Sequence, residues 1–295
     1  MNLSDNKAVT MVVRVLVVVS VAMYLAVGGC AFRSETKKSS VPLPKINRSY
    51  DFIVLGDNRP NVENLQNFLL GASRFDSPFM FHLGDMIEFC SPLAFLSLTA
   101  SVSDYLSPEM RFVPVIGNHD LRSTTKSKKS SYESLKIFNY FFDYKQEDPG
   151  YRMIENGQLV FLVLNTFYPG YENAIGPAQK AWLESTLSAI DPSKSIVVFT
   201  HHPLFPAGAH DPLQNRDEIH DLFKRYGVKA VFSGHEHLYY HQVEEGILYY
   251  VSGGAGSRLH VSEKGEAVFH MLGVQVFPEW KVDILNENGE TLVLD

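Results

Sequence analysis

The sequence predicts an α/β protein built as a mixed, two-sheet sandwich flanked by helices. Three observations lead to this prediction. Short apolar runs such as 52–55 and 195–199 have the length and composition of buried strands, and amphipathic helical patterns separate several of them. Asn-Gly pairs occur at 156–157 and 288–289. Because Asn-Gly is a strong hairpin signal, we expect antiparallel strands beside the parallel ones.

The first half of the chain is expected to contain three strands and two helices. The strands are predicted at 50–55, 79–83 and 111–116, one helix begins after the cap Asn61, and the other spans 93–106. Pro114 cannot donate a hydrogen bond to a neighbouring strand, so we expect a bulge there. The Ser-, Thr- and Lys-rich stretch 122–134 is predicted to be a solvated loop.

The second half is expected to start with a hairpin and to continue with alternating elements. The hairpin is predicted at 151–164, helices at 217–226 and from Pro177 onward, and strands at 195–199, 230–232 and 247–251. His210 and His220 fall in polar segments and are expected at the surface. Since no long linker interrupts residues 50–295, we expect them to form one domain.

Residues 1–29 have the features of a secretory signal peptide. Lys7 and Arg14 precede a short apolar run at 15–27, and small residues follow it. The run is shorter than the roughly 20 residues that a membrane-spanning helix needs. This segment therefore predicts export from the cytoplasm.

The end of the signal segment predicts how the protein is attached to a membrane. Residues 27–30, Val-Gly-Gly-Cys, resemble a bacterial lipobox, which implies a lipid on Cys30 and a membrane-anchored lipoprotein in the periplasm or at the cell surface. The alternative is an uncleaved signal anchor with an inert Cys30. Residues 30–49 are polar and contain Pro and Ser, so they are predicted to be a flexible tether.

Composition argues against one class of partner. The chain has 295 residues, of which 45% are hydrophobic and 20% are charged, as in ordinary globular proteins. Its formal net charge is −7. Because nucleic-acid-binding surfaces normally carry a basic stripe, we expect no such surface on this protein.

Side chains of metal-ligand type follow five of the predicted strands. They are Asp57, Asp85, Asn118 with His119, His201 with His202, and His235 with His237. Each alone is more often a turn or a hydrogen-bonded structural group. In open α/β sheets, however, ligands bind beyond the carboxyl ends of the strands, so these groups are expected to meet. Imidazole and carboxylate groups then indicate a metal site.

As an ordered set, these groups resemble the calcineurin-like metallophosphoesterases, including their purple acid phosphatase branch. The resemblance covers residues 50–260. The matching motifs are Gly56-Asp57-Asn58-Arg59, Gly84-Asp85, Gly117-Asn118-His119-Asp120, His201-His202-Pro203 and Gly234-His235-Glu236-His237. The resemblance implies the α/β/β/α fold of that family and hydrolysis of phosphate mono- or diesters.

The resemblance also implies two metal ions. The first would be held by Asp57, Asp85 and His237, and the second by Asp85, Asn118, His201 and His235. Asp85 would bridge the two. Ions in such sites lie about 3.5–4 Å apart and lower the pKa of bound water to near 7, so the nucleophile would be a metal-bridging hydroxide. Nitrogen and oxygen ligands admit Mn, Fe, Zn or Co.

Other residues take catalytic or substrate-binding roles by the same resemblance. His119 would face the leaving group as an acid or phosphate donor, and Asp120 would orient it. Of the histidine pair, His201 matches the family ligand. His202 is expected beside it as a substrate contact.

Arg59 departs from the family pattern. The family has a histidine ligand two residues after the first aspartate, and a guanidinium cannot ligate a metal. The purple acid branch uses a tyrosine three residues after the bridging aspartate, where this chain has Glu88. Glu88 or a water would complete the first site, unless Glu88 is a solvated loop residue. Arg59 would contact substrate phosphate, whose geometry its planar fork suits, or form a surface ion pair.

The first functional hypothesis is a dinuclear, metal-dependent phosphoric ester hydrolase. The second follows from Arg59, which stands where the family has a metal-ligating histidine. If the first metal is lost for this reason, the chain would be a lipid-anchored protein that binds phosphate or a nucleotide through one metal without turnover. A structural lipoprotein that uses only the fold would not explain so many ligand-type side chains.

Overall fold

Two β-sheets form the centre of the protein, with helices packed on both outer surfaces. The structure is a computed structural model that describes residues 44–123, 128–142, 144–145 and 148–294. The predicted signal segment and Cys30 lie outside the described residues. Within the described part, no helix has the length and apolar character needed to cross a membrane.

The described residues contain thirteen strands and five helices. In chain order they are β1 (Phe52–Leu55), α1 (Val62–Ala72), β2 (Phe79–His82), α2 (Pro92–Tyr105), β3 (Arg111–Pro114), α3 (Lys128–Phe141), β4 (Arg152–Asn156), β5 (Leu159–Val163), β6 (Phe167–Tyr168), β7 (Tyr171–Glu172), α4 (Pro177–Ala189), β8 (Ser195–Thr200), α5 (Arg216–Arg225), β9 (Val228–Ser233), β10 (Tyr239–Glu244), β11 (Ile247–Ser252), β12 (Met271–Gln275) and β13 (Lys281–Leu285).

Both large sheets are mixed, as predicted. The first has the order β13-β12-β1-β2-β3, the second has the order β10-β11-β9-β8-β5-β4, and β6 and β7 pair separately. β1, β2 and β3 run parallel, as do β5, β8, β9 and β11. The parallel strands of each sheet therefore end at a common edge, where the predicted ligands follow them.

Three apolar layers hold the sheets and helices together. Between the sheets, the ring of Phe52 meets those of Phe81, Phe161, Phe199 and Phe232 edge to face, at centroid distances of 5.4 to 5.8 Å. Such pairs add about 0.5–1.5 kcal/mol beyond the burial of their area. The outer faces pack on α1 to α3 on one side and on α4 and α5 on the other. Central strands buried on both faces explain the continuous apolar runs in the sequence.

Local sequence signals account for several element ends. Asn61 caps α1 by accepting a hydrogen bond from the amide of Asn64 at 3.1 Å. Pro177 is the first residue of α4, where its missing N–H is not needed. Gly157 has a φ of 59° in the turn between β4 and β5, which form the predicted hairpin.

Two predictions in the first half of the chain are wrong. Pro114 makes no bulge: it pairs with His82 at the end of β3, and an edge strand tolerates a missing donor. Residues 128–134 of the expected loop belong to α3. That helix is held by later apolar residues, such as Phe138, whose ring lies 5.8 Å from that of Phe95. Its polar first turns concealed the helix.

The C-terminal strand pairing and the start of the domain also differ from expectation. β12 and β13 pair as an antiparallel hairpin that was not predicted. The hairpin predicted around the Asn-Gly turn at 288–289 is reduced to a single antiparallel bridge between Leu285 and Thr291. At the other end, the Ile46 amide donates to the Arg74 carbonyl at 2.8 Å. The segment from Ile46 onward is therefore attached to the domain, and the tether predicted at 30–49 extends too far.

His270, next to β12, is a buried histidine that connects two segments of the fold. Its Nδ1 lies 2.9 Å from the Val268 carbonyl oxygen, to which it donates. Its Nε2 lies 2.9 Å from Oγ of Ser252, at the end of β11, and accepts from it. Burial lowers the pKa of this imidazole to about 4. The fold therefore holds His270 neutral.

We expect the free energy of unfolding to decrease as the pH falls from 6.5 toward 4. The contribution of His270 is fully present above 6.5, its ordinary pKa, and is lost as the pH falls through this window, because only the unfolded chain takes up the proton readily. The full shift corresponds to roughly 3 kcal/mol. Urea unfolding across this range should show a smaller loss for His270→Gln than for wild type. Equal slopes would assign the effect to other groups.

Candidate active site

The ends of five parallel strands place the predicted metal ligands side by side. Asp57, Asp85 and His201 have ligand atoms within 4.8 Å of one another, and so do His201, His202 and His235. The two remaining predicted ligands adjoin these groups. Asn118 Oδ1 lies 2.9 Å from His201 Nε2, and His237 Nε2 lies 3.7 Å from Asp57 Oδ1.

His201 presents an unprotonated nitrogen to the centre of this cluster. Its Nδ1 lies 2.8 Å from the Leu83 carbonyl oxygen, which only accepts hydrogen bonds, so Nδ1 carries the ring proton. Nε2 therefore has a lone pair, and it faces Asn118 Oδ1 at 2.9 Å, His235 Nδ1 at 3.2 Å and Asp85 Oδ1 at 3.5 Å. Neither oxygen has a proton to give. Lone pairs that converge in this way fit a bound cation.

A second group of the same kind surrounds Asp57. His237 donates from Nδ1 to the Arg258 carbonyl oxygen at 2.8 Å, so its Nε2 is the unprotonated nitrogen that faces Asp57 Oδ1. Asp57 is fully buried, and its Oδ2 accepts the His235 amide at 3.0 Å. Its Oδ1 has no hydrogen-bond partner among the described residues. Because an unsatisfied buried carboxylate oxygen is costly, this atom also fits a metal ligand.

Three of the predicted ligands adopt a backbone conformation that residues other than glycine disfavour. Asp57, Asp85 and His235 have φ angles of 61°, 55° and 70°. The left-handed region costs about 1–2 kcal/mol per residue, and such strain concentrates at functional sites. Close backbone approach adds a second constraint, since a Cβ on Gly117 would lie 2.2 Å from the Asp85 amide nitrogen. The glycine of this motif therefore makes room for the neighbouring ligand loop.

Asp120 braces the loops that carry two of the ligands. It is fully buried, and its Oδ2 accepts the amides of Asp85 at 2.9 Å and Gly117 at 2.8 Å. Its Oδ1 accepts those of Met86 at 2.9 Å and Ile87 at 3.3 Å. Burial and the charge of Asp85 raise the pKa of this carboxyl, while the amide donors act in the opposite direction and favour its ionised form. Both oxygens serve the backbone.

His119 is oriented by Glu88 and not by Asp120, which corrects the sequence-based expectation. Nδ1 of His119 lies 3.0 Å from the carbonyl oxygen of Glu88 and 3.4 Å from its carboxylate. Nε2 lies 3.5 Å from Nη1 of Arg122. The His119 amide also donates to Asp85 at 2.8 Å, which fixes the ring at the edge of the cluster. Nε2 is thus the ring nitrogen that does not contact Glu88, and Arg122 lies at the limit of hydrogen-bond distance from it.

Arg59 lies directly against the carboxylate that was predicted to bridge the metals. Its Nε donates to Asp85 Oδ2 at 2.8 Å, and its Nη1 donates to Glu88 Oε2 at 2.9 Å. Glu88 therefore pairs with Arg59 and His119, its side chain is 36% exposed, and it belongs to neither ligand group found among the described residues. The guanidinium is always protonated, which gives one oxygen of Asp85 a permanent cationic partner.

His202 lies beside the ligands, as expected from the sequence. Its Nδ1 is 2.8 Å from Oγ1 of Thr166, a hydroxyl that also accepts the His202 amide at 3.2 Å. Burial lowers the pKa of the imidazole well below its ordinary value, so the ring is neutral at neutral pH. Its centroid lies 4.4 Å from that of His235. The ring is therefore close enough to the cluster to contact a bound ion or substrate.

Two further histidines near the site were not predicted. His210, expected at the surface, is exposed, but its ring lies 4.3 Å from that of His235. The ring of His260 stacks at 4.3 Å on that of His237. Neither position has metal-ligand spacing in the sequence, so no local signal marks them. His220, also expected at the surface, is buried in α5.

Glu236 stands between the two histidines of the last motif and anchors a neighbouring loop. It is fully buried, and its carboxylate accepts hydrogen bonds from the amides of Ala207, Ala209 and His210, the last at 2.9 Å. The loop that follows the His201 motif is thereby attached to the turn that carries the other two histidine ligands.

Burial sets the protonation of the cluster. It lowers the pKa of His237 to about 4 and also lowers that of His201. Burial and the neighbouring Asp85 raise the pKa of Asp57. Burial also opposes ionisation of Asp85, but basic groups around it, including the Arg59 guanidinium at 2.8 Å, hold its pKa below the ordinary value. Neutral imidazoles beside paired carboxyl groups suit divalent cations.

Residues 50–239 match the family model of the calcineurin-like phosphoesterases. The chain belongs to this family. Its members are metal-dependent phosphoesterases, and the matched segment contains the strand ends that carry all six predicted ligands. Family membership thus agrees with the donor set that the structure assembles.

The matching curated relatives are named as phosphatases. Serine/threonine-protein phosphatase CPPED1 of Danio rerio is 30% identical over 196 residues, which are 62% of this chain and 60% of that protein. The protein of the same name from Homo sapiens is 27% identical over 198 residues, covering 61% and 59%. The chain therefore spans about three fifths of the length of these relatives.

Solved structures support the fold. Purple acid phosphatase PPD1 from yellow lupin has a TM-score of 0.65 at 15% identity, covering 82% of this chain and 52% of that one. GAP50, the anchor in the inner membrane complex of Plasmodium, has a TM-score of 0.54 at 17% identity, covering 82% and 86%. At these identities the likeness shows the fold alone, and it confirms the predicted metallophosphoesterase architecture.

Replacing Asp120 by Asn should lower both thermal stability and metal affinity. The substitution keeps the shape but turns an NH2 group toward backbone N–H donors, and an unsatisfied buried group costs about 1–3 kcal/mol. Because the Asp85 loop loses its brace, metal affinity should fall by roughly 10–100-fold, as for other residues that orient ligands. Thermal unfolding and titration with Mn²⁺ measure the two effects.

The matched control for this variant is Asp283→Asn. Asp283 is also a buried carboxylate, and it accepts the Tyr50 hydroxyl at 2.8 Å, away from the ligands. Its substitution should lower the melting temperature without changing metal affinity. Unaltered Mn²⁺ binding by Asp120→Asn would contradict the bracing role.

Proposed function

We propose that this member of the family hydrolyses phosphate mono- or diesters with the aid of two metal ions. The observation that carries the proposal is a pair of unprotonated nitrogens, His201 Nε2 and His237 Nε2. Each faces a carboxyl oxygen, of Asp85 at 3.5 Å or of Asp57 at 3.7 Å. The names of the matching relatives favour a phosphomonoester as substrate.

Two metal sites that share Asp85 would account for the donor groups. One would use Asp85 with Asn118, His201 and His235, and the other would use Asp85 with Asp57 and His237. Metal ions bound there would neutralise the charge of the ester and lower the pKa of water to near 7. The mixture of nitrogen and oxygen ligands admits Mn, Fe, Zn or Co.

His119 and Arg59 would act on the substrate directly. Glu88 holds Nδ1 of His119 through its carbonyl and carboxylate oxygens, so Nε2 would be the atom that passes a proton to the leaving oxygen. Arg59 uses Nε and Nη1 for its two carboxylate partners. Its Nη2 makes no hydrogen bond within the described part of the chain and would donate to a phosphate oxygen. His202 would offer a further contact to the phosphate.

The location of the enzyme is part of the same proposal. The sequence of residues 1–30 supports export and a lipid on Cys30, which would hold the catalytic domain at a membrane surface outside the cytoplasm. Phosphate esters on that side of the membrane would then be its substrates.

Arg59 also favours a second candidate function. Because its guanidinium occupies one oxygen of Asp85, the site around Asp57 and His237 would bind its ion more weakly than the other site does. A protein with only the second ion would bind phosphate or a nucleotide without turnover. The two candidates differ in metal content and in activity.

Substitution of Asp85 tests the proposed enzyme. Wild-type protein should bind about two ions per chain and hydrolyse p-nitrophenyl phosphate. Asp85→Asn should lose more turnover than the roughly 10–100-fold caused by removing a residue that only orients a ligand. Elemental analysis and steady-state kinetics measure both effects, and Asp283→Asn serves as the control. One ion without turnover in wild type would favour the receptor, and a fully active Asp85→Asn would end the metal-bridging assignment.

Substitution of Arg59 tests whether the two ions are bound unequally. Calorimetric titration of wild type with Mn²⁺ should resolve a tight and a weak site, because a fixed cation repels a second one. Arg59→His removes the charge and supplies an imidazole, so the weak site should tighten by about tenfold or more, as expected for a repulsion of at least about 1.4 kcal/mol. Arg59→Gln removes the charge alone. Identical Mn²⁺ binding curves for all three proteins would refute the idea that Arg59 weakens binding of one ion at Asp85.

A further inference from the structure

A pocket of about 160 Å³ lies next to the candidate active site, between α1, α2 and the loop that follows Asp85. Its floor is formed by apolar side chains that are at most 6% exposed, namely Leu65, Met86, Ile87 and Leu98. At the mouth, Val62 is 44% exposed although it is apolar. A volume of this order accommodates a group the size of benzene.

The pocket shares its inner wall with the active site. Asn58 and Glu88 line it, and Arg59, which follows Asn58, binds both Asp85 and Glu88. Glu88 also holds His119, the proposed proton donor to the leaving oxygen. Glu88 therefore stands between the proposed proton donor and the pocket.

We propose that this pocket binds a ring-sized apolar leaving group, so that the enzyme prefers aryl phosphates over polar alkyl phosphates. The inference deepens the proposed function and rests on it. The buried floor offers apolar contact, and no cationic side chain of the described residues lines the pocket, which disfavours a second phosphate. The volume excludes a long acyl chain.

The first test compares two substrates in the Mn²⁺-loaded protein. Wild type should show a kcat/KM for phenyl phosphate at least about tenfold above that for glycerol 3-phosphate, since filling an apolar pocket changes specificity by this order. Ser97→Trp, at the exposed mouth, and Ala94→Leu, within the pocket, should each reduce the phenyl phosphate value about tenfold and leave glycerol 3-phosphate unchanged. Equal losses on both substrates would overturn the inference.

The matched control is Ser185→Trp. Ser185 is also an exposed helical serine, but it lies on α4, in the opposite outer layer. It should leave both substrates unaffected. If this variant lowered phenyl phosphate hydrolysis as much as Ser97→Trp does, the added tryptophan itself would be the cause and the pocket would have no role.

Binding of phosphonates separates failure of the inference from failure of the proposed function. Benzylphosphonate is shaped like phenyl phosphate but has no ester bond, and methylphosphonate lacks the ring. Calorimetry should give benzylphosphonate at least tenfold tighter binding than methylphosphonate, and Ser97→Trp should abolish the difference. If wild type hydrolyses no ester but still binds benzylphosphonate more tightly than methylphosphonate, only the proposed hydrolase activity is refuted. If wild type hydrolyses esters but binds the two phosphonates equally, only the proposed role of the pocket is refuted.

Discussion

Two carboxyl groups buried next to each other, Asp57 and Asp85, are the constraint on which the rest of the site depends. Burial and mutual repulsion oppose their joint ionisation, as the raised pKa of Asp57 shows. The neighbouring imidazoles are neutral and offer lone pairs, so they cannot supply the missing positive charge. Arg59 balances one oxygen only. The remaining charge calls for cations, which explains why a hydrolase of anions would be built around this pair.

The aromatic layer between the sheets sets the distance at which the two halves of the site meet. The first sheet supplies the carboxylates and the second supplies the histidines. Phe81 and Phe199 stack with a centroid distance of 3.7 Å, just before the loops that carry Asp85 and His201. In a core packed this densely, adding or removing a single methylene group shifts the neighbouring side chains. The core directly beneath the predicted ligands thus fixes the distance between the carboxylates and the histidines.

The site was predicted best where residues of metal-ligand type directly follow a predicted strand. Strand-end clusters predicted the meeting of distant ligands, because parallel strands share an edge. The role of Asp120 could not be predicted, since four amides from two separate loops define it only after folding. His260 was missed for the same reason, as ring stacking on His237 leaves no spacing pattern. The start of α3 was mistaken for a loop because tertiary contacts of Phe138 outweigh its polar first turns.

Glu236 makes one segment of the molecule hard to exchange. Its buried carboxylate needs the three amides at Ala207, Ala209 and His210, and without them a bare negative charge would remain between two ligand histidines. An evolutionary insertion or a grafted loop in this region must therefore again supply backbone amides that bind the Glu236 carboxylate, or it must be accompanied by replacement of Glu236. Diversification of the rim of the site is thus confined to segments that do not share this attachment.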